Sequence, residues 1–225
     1  MDETSNLFSR IILLQIKKLK AEGFDKIIIN VHHFDNQIID FLELNNNFDC
    51  DIEISDETNL LLETGGGLKK ASHYFSDGKP FLVYNVDIIS DINLKKLVEA
   101  HLQNNSIVTL AVQDRDSSRK FLFDDEMVLC GWMNQKTGEK IISRNSGSEL
   151  QQFAFGGIQI IDSKIFSHFP DEDVFSLVGL YLEVAKKEKI KGFVHNQDKL
   201  LDLGKIENIK KAEELLPKIR NTYPA

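Results

Sequence analysis

Residues 80–90 read PFLVYNVDIIS, and the reading of the fold starts from that run. Phe81 to Val86 form a stretch of strand length, rich in large apolar residues, with no charge before Asp87. Strands buried on both faces look like this, as near-continuous apolar runs rather than alternating ones. A carboxylate that closes such a strand falls on the carboxyl rim of a parallel sheet. Open α/β sheets bind their ligands at that rim.

Working outward, Lys26–Val31 (KIIINV) is another run of the buried kind, and Asp51–Ser55 (DIEIS) reads as a further strand. Apolar residues at helical spacing fill the segment before the first of them, FSRIILLQIKKLKAEGF, which stops at Gly23. Asp35 can cap a helix through NQIIDFLEL. A short helix is expected from about Leu68. After the opening run come an amphipathic helix, NLKKLVEAHLQ, and a fourth strand, SIVTLAVQ. Strand and helix therefore alternate through the first half, which is the signature of a parallel sheet with crossover helices.

The second half reads differently. KFLFD and MVLCGWMN flank Asp124–Asp125 as an antiparallel hairpin. FAFGGIQII is a strand interrupted by Gly156 and Gly157. Helices are expected at about residues 162–168 and 175–188. Short strands are expected in KGFVHN and LLDLG, and a last helix in KIENIKKAEELL. With no repeat, low-complexity tract or linker, residues 1–225 read as one mixed α/β domain.

A formal net charge of -8 argues against a nucleic-acid surface, which needs clustered Lys and Arg. Cys50 and Cys130 stand alone, as in a reducing compartment, and make no metal-ligand pattern. The polar, acidic start MDETSNLFSR does not read as a signal peptide. No apolar run approaches the ~18 residues of a membrane span. The expectation is a cytoplasmic protein that engages neither membrane nor nucleic acid.

Chemistry concentrates at a few places. Asp87 and Asp202 each close an apolar run. Two strand-end carboxylates suit Mg²⁺, which takes one or two protein oxygens and fills its other positions with water and phosphate. Strand-end aspartates also commonly cap turns. Gly65–Gly67, in LLETGGGLKKA, read either as slack chain or as backbone that a base or ribose can approach. Their N–H groups would crown a helix N-terminus. The run matches neither G-x-G-x-x-G nor G-x-x-x-x-G-K-[ST]. Gly156–Gly157 suggest a bulge or a ligand close to the backbone. His32–His33 fit a helix entry better than a metal site. No Ser-His-Asp order or nucleophile elbow is present.

Taken in order, AEGFDKIIINVHHFDNQIIDFL, LLETGGGLKKA, PFLVYNVDIIS, AFGGIQII and LDLGKIENIKKAEEL resemble the sugar-1-phosphate nucleotidyltransferases. The nearest branch is that of the mannose-1-phosphate guanylyltransferase-like and N-acetylmuramate-1-phosphate uridylyltransferase-like enzymes. The resemblance runs from about Leu13 to near the end of the chain. It implies a Rossmann-like αβα sandwich with a mixed, mostly parallel sheet. Residues 1–112 would be the nucleotide-binding half and 113–225 the sugar-binding half. It also implies transfer of a nucleotidyl group from an NTP to a sugar 1-phosphate, with release of pyrophosphate. Glu63, Thr64, Gly65 and Gly66 would then line the nucleotide pocket, Gly156 and Gly157 would lie beside the sugar, and Asp87 and Asp202 would hold Mg²⁺.

The chain departs from that family in one large respect. The family's first, central strand and its G-x-G-T-R-x-x-P loop, with a downstream P-K, have no counterpart in these residues. Leu201 stands where a Trp often precedes the late aspartate, and ISRNSGSELQQF contains no E-K-P. The expectation is a sheet whose neighbouring edges lack a partner and a site with too little positive charge for a triphosphate. Activity of the chain as written would be impaired or absent. The alternatives are a non-catalytic nucleotide- or sugar-binding module and a chain completed by a partner. A homodimer is compatible with the resemblance.

Overall fold

The computed structural model describes residues 3–32, 35–58, 60–204 and 208. Helix α1 (Glu3–Ala21) leads into strand β1 (Lys26–Val31), helix α2 (Asp35–Leu44) and strand β2 (Asp51–Asp56). Helix α3 (Glu63–Ala71), strands β3 (Phe81–Tyr84) and β4 (Ile88–Ser90), helix α4 (Leu94–Asn104) and strand β5 (Val108–Gln113) follow. Next come β6 (Arg119–Phe123), β7 (Leu129–Asn134), β8 (Lys140–Ile142) and the long β9 (Gln151–Ile161). A 3₁₀ segment (Ser163–His168), helix α5 (Leu177–Val184), β10 (Ile190–Val194) and β11 (Leu200–Asp202) complete the described elements. Of the expected last helix, within residues 205–216, Asn208 alone is described and is helical; the rest lies outside the described residues, as does His33.

The sheet is mixed, as expected, but its balance differs. Parallel pairing is confined to β1 with β2 and β5 with β10. The other ladders are antiparallel. The reason is β9. This long strand of the second half inserts between β3 and β5 and runs against both. It then continues along β6, which pairs with β7, and β7 with β8. Among the described residues β1 pairs with β2 alone and β3 with β9 alone.

Helices cover both faces of this sheet. On one, Leu68 of α3 and Leu177, Leu180, Tyr181 and Val184 of α5 pack on Leu110, Val112 and Ile161. On the other, Leu94 and Leu97 of α4 pack on Ala111, Ile158 and Ile160. Helix α1 places Ile12 and Ile16 against Ile27 of β1 and Leu42 of α2. Its Leu19 touches both that cluster and the α4 layer. β1 itself is only half-buried along Ile28–Ile29 rather than enclosed on both faces.

Two local differences bear on function. Helix α3 begins at Glu63, not near Leu68, so Gly65–Gly67 lie inside the helix and are buried. The strand from Phe81 ends at Tyr84, and the chain turns before resuming as β4, so Asp87 sits in the turn between two strands.

Helix α4 shows how a local signal sets an element's start. Asn93 is extended (φ -79°, ψ 104°) and its side chain accepts a hydrogen bond from the Lys96 N–H at 3.0 Å. This satisfies one of the first-turn N–H groups that lack a helical partner. Asn93→Ala is expected to cost about 1 kcal/mol of unfolding free energy. Asn93→Asp should keep most of it; urea titration of the three proteins checks both.

Candidate active site

The site is built on two strand ends that meet. β11 runs antiparallel to β4 with Asp202 opposite Ile88. The Leu203 N–H donates to the Asp87 carbonyl at 2.8 Å, which locks the two turns together. The Gly204 N–H donates to Asp202 Oδ1 at 3.0 Å. A methyl group placed on Gly204 would stand 3.1 Å from Asp202 Oδ1 and 3.4 Å from Asp87 Oδ2. Both carboxylates therefore converge on the same glycine. Burial pushes the half-buried Asp87 carboxyl above its ordinary range, and the negative charge of Asp202 pushes it further the same way. Two like charges are held close together, an arrangement that favours a bound cation.

The turn carrying Asp87 is braced from three sides. The Asn85 N–H donates to the Gly157 carbonyl at 2.9 Å. Gly157 has φ +72°, and a side chain there would meet the Asn85 amide nitrogen at 2.8 Å. Beside it, a side chain at Gly156 would overlap Leu200 of β11. From α1, the Gln15 amide donates to the Ile88 carbonyl. The buried Lys18 ammonium donates to the Ile92 carbonyl at 2.8 Å. On the far side, Ser90 Oγ donates to the Lys199 carbonyl at 2.7 Å, and the Lys199 N–H donates to Asp91 Oδ1 at 2.6 Å. Thus Gly156, Gly157, Asp87 and Asp202 come together at one rim.

Glu63, Thr64, Gly65 and Gly66 form the start of α3. Glu63 and Thr64 are exposed, and Glu63 has φ 59°, an uncommon conformation for a non-glycine residue. Thr64 Oγ1 accepts from the Leu177 N–H at 3.0 Å. The N–H groups of Gly65 and Gly66 both donate to the Phe175 carbonyl, at 2.9 and 3.2 Å. Side chains at these glycines would overlap Phe175 and the Asp173 carbonyl oxygen. The three glycines thus admit protein backbone and side chains in close contact. Lys69 fixes the covering loop by donating to the carbonyls of Pro170, Asp171 and Glu172 and to Asp173 Oδ1, at 2.8–3.1 Å. An open cavity of about 320 Å³ lies alongside, lined by Leu62, Gly66, Lys69, Lys70 and Asp173.

Under Gly67 the buried Glu57 carboxylate accepts from the Asn30 side-chain nitrogen at 2.7 Å, and burial raises its pKa. His32 Nδ1 lies 2.6 Å from the Glu57 carbonyl, so this ring is engaged by backbone. Among the described residues no cluster of three or more His, Cys, Asp or Glu side chains has a metal-binding arrangement. The Asp87–Asp202 pair remains, and its donor set fits Mg²⁺, which takes few protein oxygens and keeps the rest for water and phosphate. Glu57, Asn85, Gln15 and Lys18 are additions to the residues singled out in the sequence. Asn85 had a local signal, a polar residue interrupting the apolar run before Asp87.

Residues 5–121 match the family model "Nucleotidyl transferase". This chain belongs to the nucleotidyl transferase family. Among curated family relatives, mannose-1-phosphate guanylyltransferase 1 of Arabidopsis thaliana is 33% identical over 116 residues, 49% of this chain and 31% of that protein. The UTP–glucose-1-phosphate uridylyltransferase of Synechocystis is 24% identical over 208 residues, 85% of this chain and 51% of that protein. The chain thus spans 31% and 51% of the length of these two relatives. HddC from Yersinia pseudotuberculosis superposes with a TM-score of 0.71 at 24% identity, over 90% of this chain and 84% of that one. A putative glucose-1-phosphate thymidylyltransferase from Bacillus anthracis superposes with a TM-score of 0.73 at 15% identity, over 92% and 82%. At these identities the superpositions establish the nucleotidyl transferase fold.

Proposed function

We propose that this chain is a sugar-1-phosphate nucleotidyltransferase, moving a nucleotidyl group from an NTP to a sugar 1-phosphate. The observation that carries the reading is the convergence of Asp87 and Asp202 on Gly204 at the sheet rim. In the balanced reaction, a phosphate oxygen of the sugar 1-phosphate bonds to the α-phosphorus. The bond from that phosphorus to the β-phosphate bridging oxygen breaks, and its electron pair leaves with pyrophosphate. Such a reaction needs in-line positioning and charge neutralisation more than a protein nucleophile. Asp87 and Asp202 would hold Mg²⁺, which supplies positive charge to phosphate oxygens.

Glu63 and Thr64 form the exposed lip at the start of α3, and with Gly65 and Gly66 behind them they line the base and ribose. Gly156 and Gly157, packed against Leu200 and Asn85, would lie beside the sugar. In this reading residues 1–112 serve chiefly the nucleotide and 113–225 the sugar. The unpaired thiols of Cys50 and Cys130 are consistent with a cytoplasmic setting.

The 225 residues contain no G-x-G-T-R-x-x-P run. We therefore expect the polypeptide assayed by itself to bind NTP with Mg²⁺ only weakly and to release pyrophosphate far more slowly than the ordinary ~1–10³ s⁻¹. Calorimetry with each NTP, and pyrophosphate release with paired sugar 1-phosphates, test the two parts separately. Turnover in the ordinary range would remove the slow-enzyme reading. Failure to bind any NTP in the presence of Mg²⁺ would remove the nucleotidyltransferase reading.

A further inference from the structure

Arg115 stands just past the end of β5, on the same rim as Asp202 and the glycines of β9. Its guanidinium is half-buried and donates through Nη2 to the Phe155 carbonyl at 3.0 Å, next to Gly156. Its Nε is buried and has no hydrogen-bond partner among the described residues. Arg115 forms no ion pair within 4.0 Å among the described residues, although Asp202 is near enough to act on it electrostatically. A guanidinium offers five N–H donors. Partly buried charges are normally paired and hydrogen-bonded, and this one is served by a single neutral carbonyl.

The backbone around Arg115 is fixed. The Gln113 amide donates to the carbonyls of His195 and Asp198 at 3.1 and 2.7 Å. The Asp114 N–H donates to Asn196 Oδ1 at 2.7 Å. These bonds tie the end of β5 to the turn between β10 and β11, and β11 carries Asp202. The cation is therefore held in register with the carboxylate pair. Arginine in such a setting suits phosphate, which it can bind through two parallel N–H donors.

We propose that Arg115 binds a phosphate group of the substrate, beside the Asp87–Asp202 pair and on the side of Gly156–Gly157. The inference rests on the nucleotidyltransferase reading and extends it to a residue that neither the sequence motifs nor that reading assigned. The position next to Gly156 favours the phosphate of a sugar 1-phosphate over those of the nucleotide. A bracing role alone, holding β9 through the Phe155 carbonyl, would make Arg115 matter for stability and not for ligand.

The test is calorimetric titration of the full chain with mannose 1-phosphate and with GTP, each with Mg²⁺, for the wild type, Arg115→Gln and Arg115→Lys. Thermal unfolding is recorded in parallel. Arg115→Gln is expected to weaken mannose 1-phosphate binding about 10- to 100-fold, with Arg115→Lys between the two. A loss confined to GTP would keep the phosphate role and move it to the nucleotide. Wild-type affinity of Arg115→Gln for both ligands would overturn the inference and leave the proposed function standing. A wild type that binds neither ligand would overturn both. Should Arg115→Gln fail to fold, Arg115→Met, which keeps the aliphatic stem, replaces it with the same outcomes.

Discussion

Asp87→Asn and Asp202→Asn are each expected to lower Mg²⁺-dependent pyrophosphate release by at least about 100-fold, because a bound metal supplies several kcal/mol of charge stabilisation in such sites. Stability should move the other way for Asp87→Asn. In the metal-free protein Asp87 is pushed above its ordinary range by burial and by the Asp202 charge. A carboxyl whose folded pKa exceeds its unfolded value binds protons better when folded. Its contribution is therefore most favourable below the unfolded value of about 3.9 and is lost as pH rises through the folded value. Removing the charge removes that loss. Asp87→Asn should unfold at a higher temperature than wild type at pH 7 without Mg²⁺, and the gap should close toward pH 4. Saturating Mg²⁺ should reverse the order, since a ligand at 100 times its Kd adds about 2.7 kcal/mol to the protein that binds it. Thermal unfolding at several pH values, with and without Mg²⁺, reads all of this without an activity assay. Equal responses of the wild type and both variants to Mg²⁺ would show that the pair holds no metal.

Most strands and helices were legible because their signals are local. The apolar runs at Lys26–Val31 and Phe81–Val86 and the helical spacing before Gly23 each act over a few residues. The convergence of Asp87 and Asp202 was legible only as two strand ends. What joins them is the β4–β11 ladder, between segments more than a hundred positions apart, and no local pattern encodes it. The sheet's antiparallel majority was hidden for the same reason, since it follows from where β9 inserts. The start of α3 was misplaced by propensity: each glycine in a helix costs about 1 kcal/mol relative to alanine. Three in a row argue against a helix unless tertiary contacts override them. Here the Phe175 carbonyl takes the Gly65 and Gly66 N–H groups, and the Lys69 ammonium holds the covering loop. Arg115 and Lys18 carried no signal of their own. Both are ordinary charged residues in sequence, and only the partners given by the fold single them out.

Gly66→Ala should be among the most damaging single substitutions in the chain, and its sign runs against helix propensity. Alanine in place of a helical glycine normally gains about 1 kcal/mol. At Gly66, however, the added methyl would overlap the Asp173 carbonyl oxygen and press on Leu62 Cβ at 3.0 Å. The obstacle is backbone, so no side-chain rotation relieves it. Loop 170–176 would have to lift. Lifting it strains the bonds from Gly65 and Gly66 to the Phe175 carbonyl, the Leu177 bond to Thr64 and the four from Lys69. Overpacking of this kind costs about 1–3 kcal/mol, and each net hydrogen bond lost adds about 1 kcal/mol. A net loss of about 3 kcal/mol is expected after the propensity gain is subtracted. Gly179→Ala in α5 is the control: its nearest neighbour is Ser176 Oγ at 3.3 Å, the end of a short side chain, so the change should keep part of the propensity gain and stabilise by up to about 1 kcal/mol. Urea midpoints with unchanged slopes give both values. A Gly66→Ala protein as stable as Gly179→Ala would mean that the loop does not rest on α3. The glycines would then have to be explained by ligand approach alone.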